Sequence, residues 1–335
     1  MIIQLEKAVT EKQVAEITKV MTEAGYRHST VKTFSGMYLI GIGKAEIDIR
    51  RMGVLQGVKD IHRVTDAYKL VSRKWKVACT QIDLGDGIII GDGAVTLMAG
   101  PCSVESEAQV EAVVGHLCAE GIKIMRGGVF KPRSSPYDFR GLGIEGLKMF
   151  SAICKKKGLK IITEVMEVGQ ISQMADYIDI FQVGARNAQN FNLLDALGEI
   201  DKPVLIKRGL SGTIVELLQS AEYIFSAGNE RLILCERGIR TYENAYRNTF
   251  DLNAIQVLKE KSHLPVVADP SHGVGIRDYV VKTALAAAIA GADGILYEVH
   301  EVPEEAKSDG LQTLNFKESR ELCRKIKRLM EAGIR

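Results

Sequence analysis

The sequence predicts an α/β protein, a (β/α)8 TIM barrel preceded by a small α+β ferredoxin-like unit. Three observations carry that prediction. From Thr96 onward, eight apolar runs of strand length recur: TLMAG, IKIMRGG, LKIITEV, DIFQVGA, PVLIKRG, RLILCERG, PVVADPSH and GILYEVH. Helical stretches such as EAQVEAVVGHLCAEG and TIVELLQSAEYIFSAG separate them. Such alternation gives a parallel barrel or an open doubly wound sheet, and eight evenly spaced units favour closure. Finally, residues 1–66 read β-α-β-β-α-β, the ferredoxin-like order.

Within 1–66, MIIQLE has the pattern of a strand, and Thr10 is placed to cap the helix EKQVAEITKVMTEAG, which Gly25 closes. HSTVKTFSG and MYLIGIG form the next two strands. IDIRRMGVLQGV predicts a second helix and VKDIHRVTD a last strand. Residues 67–95 divide into a charged connector, AYKLVSRKWKV, and a hairpin, TQIDLGDGIIIGDGAV, whose Gly-Asp-Gly has turn chemistry. The barrel then occupies 96–335.

With 335 residues and a net charge of +2, the chain has no global polyanion-binding surface, which argues against nucleic acid as a partner. Its beginning lacks the zones of a signal peptide, and its apolar run TALAAAIAGADGIL is short of a membrane span. The six cysteines are scattered without CxxC spacing, as expected for a reduced, cytoplasmic protein.

In a TIM barrel the active site lies at the C-terminal ends of the strands. Here those ends carry Cys102, Arg126, Glu164, Arg186, Lys207, Glu236 with Arg237, Asp269 with His272, and Glu298 with His300. The run RGGVFKPRSSP after the second strand adds Lys131, Arg133, Ser134 and Ser135 on a loop broken by glycine and proline. Arg126, Lys131, Arg133, Arg186, Lys207 and Arg237 together suit a small, highly anionic ligand. Cys102, His272, Glu298 and Asp309 form a mixed donor set that suits a divalent first-row metal. Taken singly, a cysteine is as readily a small buried apolar residue and a histidine after proline a turn residue. His28, His62, His116 and His263 form no constellation and read as surface or helix residues.

The runs AGPCSVES (99–106), RGGVFKPRSSP (126–136), GARNAQN (184–190), KRG (207–209), CERG (235–238), ADPSH (268–272), YEVH (297–300) and KSDG (307–310) resemble, in order, those of the 3-deoxy-D-arabino-heptulosonate 7-phosphate (DAHP) synthases. The type I beta subgroup, with an N-terminal ferredoxin-like regulatory domain, is the nearest pattern. The resemblance implies condensation of phosphoenolpyruvate with erythrose 4-phosphate and water, giving DAHP and phosphate, at the start of the shikimate pathway. It implies one divalent metal (Mn, Fe, Co or Zn) on Cys102, His272, Glu298 and Asp309. It places phosphoenolpyruvate on Arg126, Lys131, Arg186, Lys207 and Arg237, and counts Ala185 and Glu236 among the substrate-binding residues. Erythrose 4-phosphate falls to Pro132, Arg133 and Ser134, and Lys131 is the catalytic proton donor. The family also implies tyrosine or phenylalanine as effector and a homotetramer.

Two other readings compete. The sibling enzymes that make 3-deoxy-octulosonate 8-phosphate from arabinose 5-phosphate carry Lys-Ala-Asn-Arg where this chain has Lys131-Pro132-Arg133, which favours the shorter sugar. A non-catalytic amino-acid sensor would have lost a metal ligand or anion-binding residue, and none is lost. The run after ADPSH, Gly273 to Arg277, departs from the usual family pattern and leaves that loop's conformation open.

Overall fold

A computed structural model describes residues 1–43, 48–133 and 135–334. Ser134 therefore lies outside the described residues. The chain begins with β1 (Ile2–Leu5), α1 (Glu11–Glu23), β2 (Arg27–Lys32), β3 (Met37–Ile42), α2 (Ile49–Gly53) and β4 (Val58–His62). Thr10 accepts from the Gln13 N–H while Gln13 Oε1 accepts from the Thr10 N–H, so a reciprocal box starts α1. The four strands form an antiparallel sheet ordered β2-β3-β1-β4, as the β-α-β-β-α-β pattern requires. The second helix is shorter than expected. Gly57, at φ +89°, leads directly into β4, so the Val54–Gly57 end of IDIRRMGVLQGV is turn.

The connector is more apolar in its packing than in its composition. Tyr68, Leu70, Val71 and Trp75 are buried, and Glu222 of the barrel accepts from the backbone N–H groups of Lys69, Leu70 and Val71 at 2.9–3.0 Å. Tyr38 of β3 packs edge-on against both Trp75 and Phe225, and this joins sheet, connector and barrel. The hairpin follows as β5 (Ile82–Asp83) and β6 (Ile89–Ile90), its turn held by Gly85, Asp86 and Gly87 at positive φ.

Eight parallel strands then close a barrel: β7 (Thr96–Gly100), β8 (Ile124–Arg126), β9 (Lys160–Val165), β10 (Ile180–Val183), β11 (Val204–Lys207), β12 (Leu232–Glu236), β13 (Val266–Ala268) and β14 (Gly294–Glu298). Around them lie α3 (Glu107–Ala119), α4 (Gly143–Lys156), α5 (Val168–Met174), α6 (Phe191–Gly198), α7 (Ile214–Ala227), α8 (Leu252–Lys261), α9 (Pro270–Val274), α10 (Arg277–Ile289) and α11 (Phe316–Glu331). Among the described residues no helix is long and apolar enough to cross a membrane.

Met98, Ile124, Ile162, Ile180, Leu205, Ile233, Val267 and Leu296 fill the barrel, and Cys235 adds a second side chain from β12. Ile82, Ile88 and Ile90 of the hairpin pack into the same cluster and close its N-terminal end. Neighbours such as Ala99, Met125, Ile161, Phe181, Ile206, Leu234 and Ile295 join the shell under the helices. Strand side chains alternate in direction, so these two sets fix which later residues point inward.

His263 is a correction to the sequence reading. It is neither at the surface nor in a helix but buried between α8 and β13, where its Nε2 donates to the Leu70 carbonyl at 2.8 Å and Nδ1 meets the Thr80 hydroxyl at 2.7 Å. Local sequence gives no sign of this, because both partners come from the connector and hairpin almost two hundred residues earlier. His116 is on a helix as expected, yet buried and stacked on Phe316.

Candidate active site

Counting two residues on from each inward apolar position reaches the site. Ile124 leads to Arg126, Ile162 to Glu164, Leu205 to Lys207, Val267 to Asp269 and Leu296 to Glu298. On β7 and β12 the same step, taken twice, reaches Cys102 and Arg237. Four of these polar ends are paired with one another, since an isolated buried charge is prohibitively expensive, while Glu164 accepts from Gln182 and Arg237 donates to the Gly238 carbonyl. Arg126 Nη1 donates to Glu298 Oε1 and to the Pro101 carbonyl, both at 2.8 Å. Lys207 Nζ lies 2.6 Å from Asp269 Oδ2, and the same oxygen is 2.8 Å from His272 Nδ1.

The four candidate metal donors converge. One donor atom from each of Cys102, Glu298 and Asp309 lies within 4.8 Å of the others, with Sγ of Cys102 3.4 Å from Asp309 Oδ2. His272 Nε2 is 3.4 Å from Glu298 Oε1 and 3.7 Å from Asp309 Oδ2. Donors bound at about 2.0–2.3 Å from one ion stand roughly 3–4 Å apart, so the set fits a single metal. Asp269 Oδ2 lies beside Nδ1, and Nε2 is the ring nitrogen that faces the other donors. Asp309 itself sits at φ +52°, a left-handed conformation that aspartate tolerates better than most residues.

The electrostatics agree with that assignment. Burial lowers the His272 pKa, against the opposing pull of Asp269 and Glu298. Burial opposes ionisation of Asp269 and Asp309, but His272 with Lys207, and His272 with Arg247, hold the two carboxyls well below the usual range. Burial and Glu298 push the Cys102 thiol up to about 12, so without a cation it stays protonated. A coordinating cation removes that proton outright.

A cavity of about 290 Å³ opens above these groups. Lys131, Pro132, Arg133, Ala185, Arg186, Lys207 and Arg237 line it together with His272 and Asp309. Lys131 is buried and donates from Nζ to the Cys102 carbonyl and to Cys102 Sγ, both at 3.0 Å. It thus stands between the donor set and the cavity. Arg133 pairs at 3.0 Å with Asp138, which also lines the cavity.

Glu236 is placed elsewhere. It follows Cys235, whose side chain is inside the barrel, so it points outward; its Oε2 accepts from Arg208 at 2.9 Å and its Oε1 from the Gly238 N–H at 2.6 Å. Strand parity could have shown this, because Glu236 is three residues from Ile233 rather than two or four. The residues that sequence reading missed are Arg240, Arg247 and Asn248, which also line the cavity, and Gln312, which donates to Glu298 Oε2 at 2.6 Å. They lie in loops, where no periodicity marks direction. Gly273 and Gly275 now have a reason: a Cβ there would lie 2.3 Å from the Phe250 and Arg247 side chains respectively, and Gly275 ends α9 at φ +71°.

Comparison with known proteins gives the family. Residues 76–333 match the model of the DAHP synthetase I family. The phospho-2-dehydro-3-deoxyheptonate aldolase of Thermotoga maritima is 43% identical over 99% of this chain and 98% of its own. A crystal structure of the Thermotoga maritima enzyme superimposes with a TM-score of 0.80 at 42% identity, covering 99% of this chain and 98% of that one. The 2-dehydro-3-deoxyphosphooctonate aldolase of Syntrophotalea carbinolica is more distant, 32% identical over 67% of this chain and 86% of its own. The chain belongs to the DAHP synthetase I family.

Proposed function

We propose that this enzyme is a 3-deoxy-7-phosphoheptulonate synthase, condensing phosphoenolpyruvate with erythrose 4-phosphate and water to give DAHP and phosphate. That places it at the entry to aromatic amino acid biosynthesis. The observation that carries the reading is Lys131, bonded to Cys102 and facing a cavity lined by Pro132, Arg133, Arg186, Lys207 and Arg237. Arg186, Lys207 and Arg237 compensate the phosphate and carboxylate of phosphoenolpyruvate by charge-assisted hydrogen bonds. Arg126, with Nη1 committed to Glu298, is not among the residues that line the cavity and acts on it from behind the donor set. Pro132 and Arg133 receive the sugar phosphate, and Ser134 supplies a hydroxyl to it. The absence of an Ala-Asn insertion after Lys131 keeps that end of the cavity suited to a four-carbon sugar.

Cys102, His272, Glu298 and Asp309 would hold one divalent ion (Mn, Fe, Co or Zn), which supplies Lewis-acid polarisation of the aldehyde. The remaining work belongs to the chain. Binding the two anions side by side converts an encounter in solution into an oriented attack of C3 of phosphoenolpyruvate on the aldehyde carbon. Lys131 delivers a proton to the alkoxide that forms. Water adds at C2 and gives up its proton, and cleavage of the C2–O bond releases inorganic phosphate and leaves the ketone. Burial works to lower the Lys131 pKa, but the neighbouring Cys102, Glu164 and Glu298 raise it overall, so the proton is present at neutral pH.

In the same reading, residues 1–66 are an effector unit for tyrosine or phenylalanine, 67–95 a connector, and 96–335 the catalytic barrel of a cytoplasmic homotetramer. The unit's physical link to the barrel is short: Thr33 Oγ1 donates to Glu230 at 2.6 Å, and the Phe34 N–H to the Gly228 carbonyl at 3.3 Å. The decisive assay offers both aldoses with phosphoenolpyruvate. Preference for arabinose 5-phosphate rejects the substrate assignment, and phosphate release that survives complete metal removal rejects the metal role. Activity of the full chain and of a variant lacking 1–66, each with and without tyrosine or phenylalanine, tests the effector. Equal activity in all four conditions rejects it.

A further inference from the structure

Two of the four metal-donor candidates are linked through a bonded pair of residues outside the donor set. Arg247, in the loop between β12 and α8, directs one nitrogen, Nη1, to Asp309 Oδ1 at 3.2 Å and to Gln312 Oε1 at 2.6 Å. Gln312 in turn donates from Nε2 to Glu298 Oε2 at 2.6 Å. The oxygens engaged are the ones turned away from the donor set, since Asp309 Oδ2 and Glu298 Oε1 are those nearest His272. The polarity is consistent throughout: the guanidinium and the amide N–H donate, the amide oxygen and the carboxylates accept. Only one orientation of the Gln312 amide serves both neighbours.

The same loop reaches a third donor. Asn248 Nδ2 donates to the His272 carbonyl at 2.8 Å, and the Arg247 N–H to the Val274 carbonyl at 3.1 Å. Gly275 leaves the space in which the Arg247 side chain lies. A carboxylate with one oxygen fixed in this way cannot rotate the other out of the donor set, and fixing ligands by outer hydrogen bonds raises metal affinity.

We propose that Arg247 and Gln312 form a positioning bridge that sets Glu298 and Asp309 as a pair for the metal. This rests on the metal reading above, and the experiment separates the two. The metal-free full chain is titrated with Co²⁺ in competition with a chromophoric chelator, and thiolate-to-cobalt absorption is followed at the same time. Gln312→Leu removes both links, and Gln312→Glu keeps the bond to Arg247 but sets a carboxylate against Glu298. Each is expected to weaken Co²⁺ about 10–100-fold while the cobalt–thiolate band persists at saturation, because Cys102 is untouched. Arg247→Met, at a side chain that is 39% exposed and therefore safe for folding, is expected to weaken Co²⁺ several-fold. Wild-type affinity in every folded variant overturns the bridge alone. A wild-type chain that binds no Co²⁺ overturns the metal reading and the bridge together.

Discussion

At one end of the barrel Met98, Ile124, Ile162, Leu205, Val267 and Leu296 meet three isoleucines of a hairpin; one step inward along those strands, every other residue changes to Gly100, Arg126, Glu164, Lys207, Asp269 and Glu298. The backbone ladder is the same at both ends. What differs is how burial is made tolerable. At the N-terminal end apolar side chains simply exclude water, each fully buried residue contributing about 1.5–3 kcal/mol. At the C-terminal end the fully buried charges depend on named partners, Arg126 on Glu298 and Lys207 on Asp269. Such pairs add little net stability, so their arrangement is explained by chemistry rather than by folding. The comparison predicts that substitutions at the apolar end change stability alone, whereas those at the mouth change activity and cost stability only where a buried partner charge is left unpaired.

The largest effect is expected at Lys131. Lys131→Met should reduce kcat by about 10²–10⁴-fold, measured as phosphoenolpyruvate consumption, with little change in the melting midpoint. A comparable loss of stability with retained kcat would make Lys131 structural and break the contrast. Next is Lys207→Met, which leaves the buried Asp269 carboxylate facing His272 alone. Denaturant titration should show a loss of about 3–5 kcal/mol, together with weaker phosphoenolpyruvate binding. At the opposite end, Ile90→Ala removes part of the plug and should destabilise the chain by about 2–5 kcal/mol. Its kcat and KM per folded molecule should remain those of the parent, and an altered KM would show that the two ends communicate.

The smallest effect sharpens the apolar end. Burial, assisted by Lys76, lowers the His263 pKa from 6.5 to about 3. The unfolded chain therefore binds a proton there that the folded chain refuses. The contribution is complete above about pH 6.5 and declines as the pH falls toward 3, at roughly 1 kcal/mol per pH unit. Denaturation curves at successive pH values should show this slope, and His263→Gln should flatten it. An unchanged slope would mean that other groups set the acid limit.

Much of this was legible without coordinates. Strand-length apolar runs set the eight barrel strands, because a strand buried on both faces must be apolar along its length. Thr10 announced the start of α1, because its capping bond to the Gln13 N–H is local. The polar strand ends marked the site, but the sequence reading kept Glu236 with Arg237, although parity along the strand separates them. Loops followed no such rule. Arg247, Asn248 and Gln312 reach the site through turns whose direction depends on contacts such as Gly275 against Arg247.

The sequence by itself determined the order of elements, the closed barrel and the residue types at its mouth, since these follow from periodicity and from the penalty of burying lone charge. Tertiary structure alone decided which charges pair, that His263 is buried beneath the connector, and that Cys102, His272, Glu298 and Asp309 converge. The reason is distance along the chain: Cys102 and Asp309 are 207 residues apart, and only closure of the barrel brings their donor atoms to 3.4 Å.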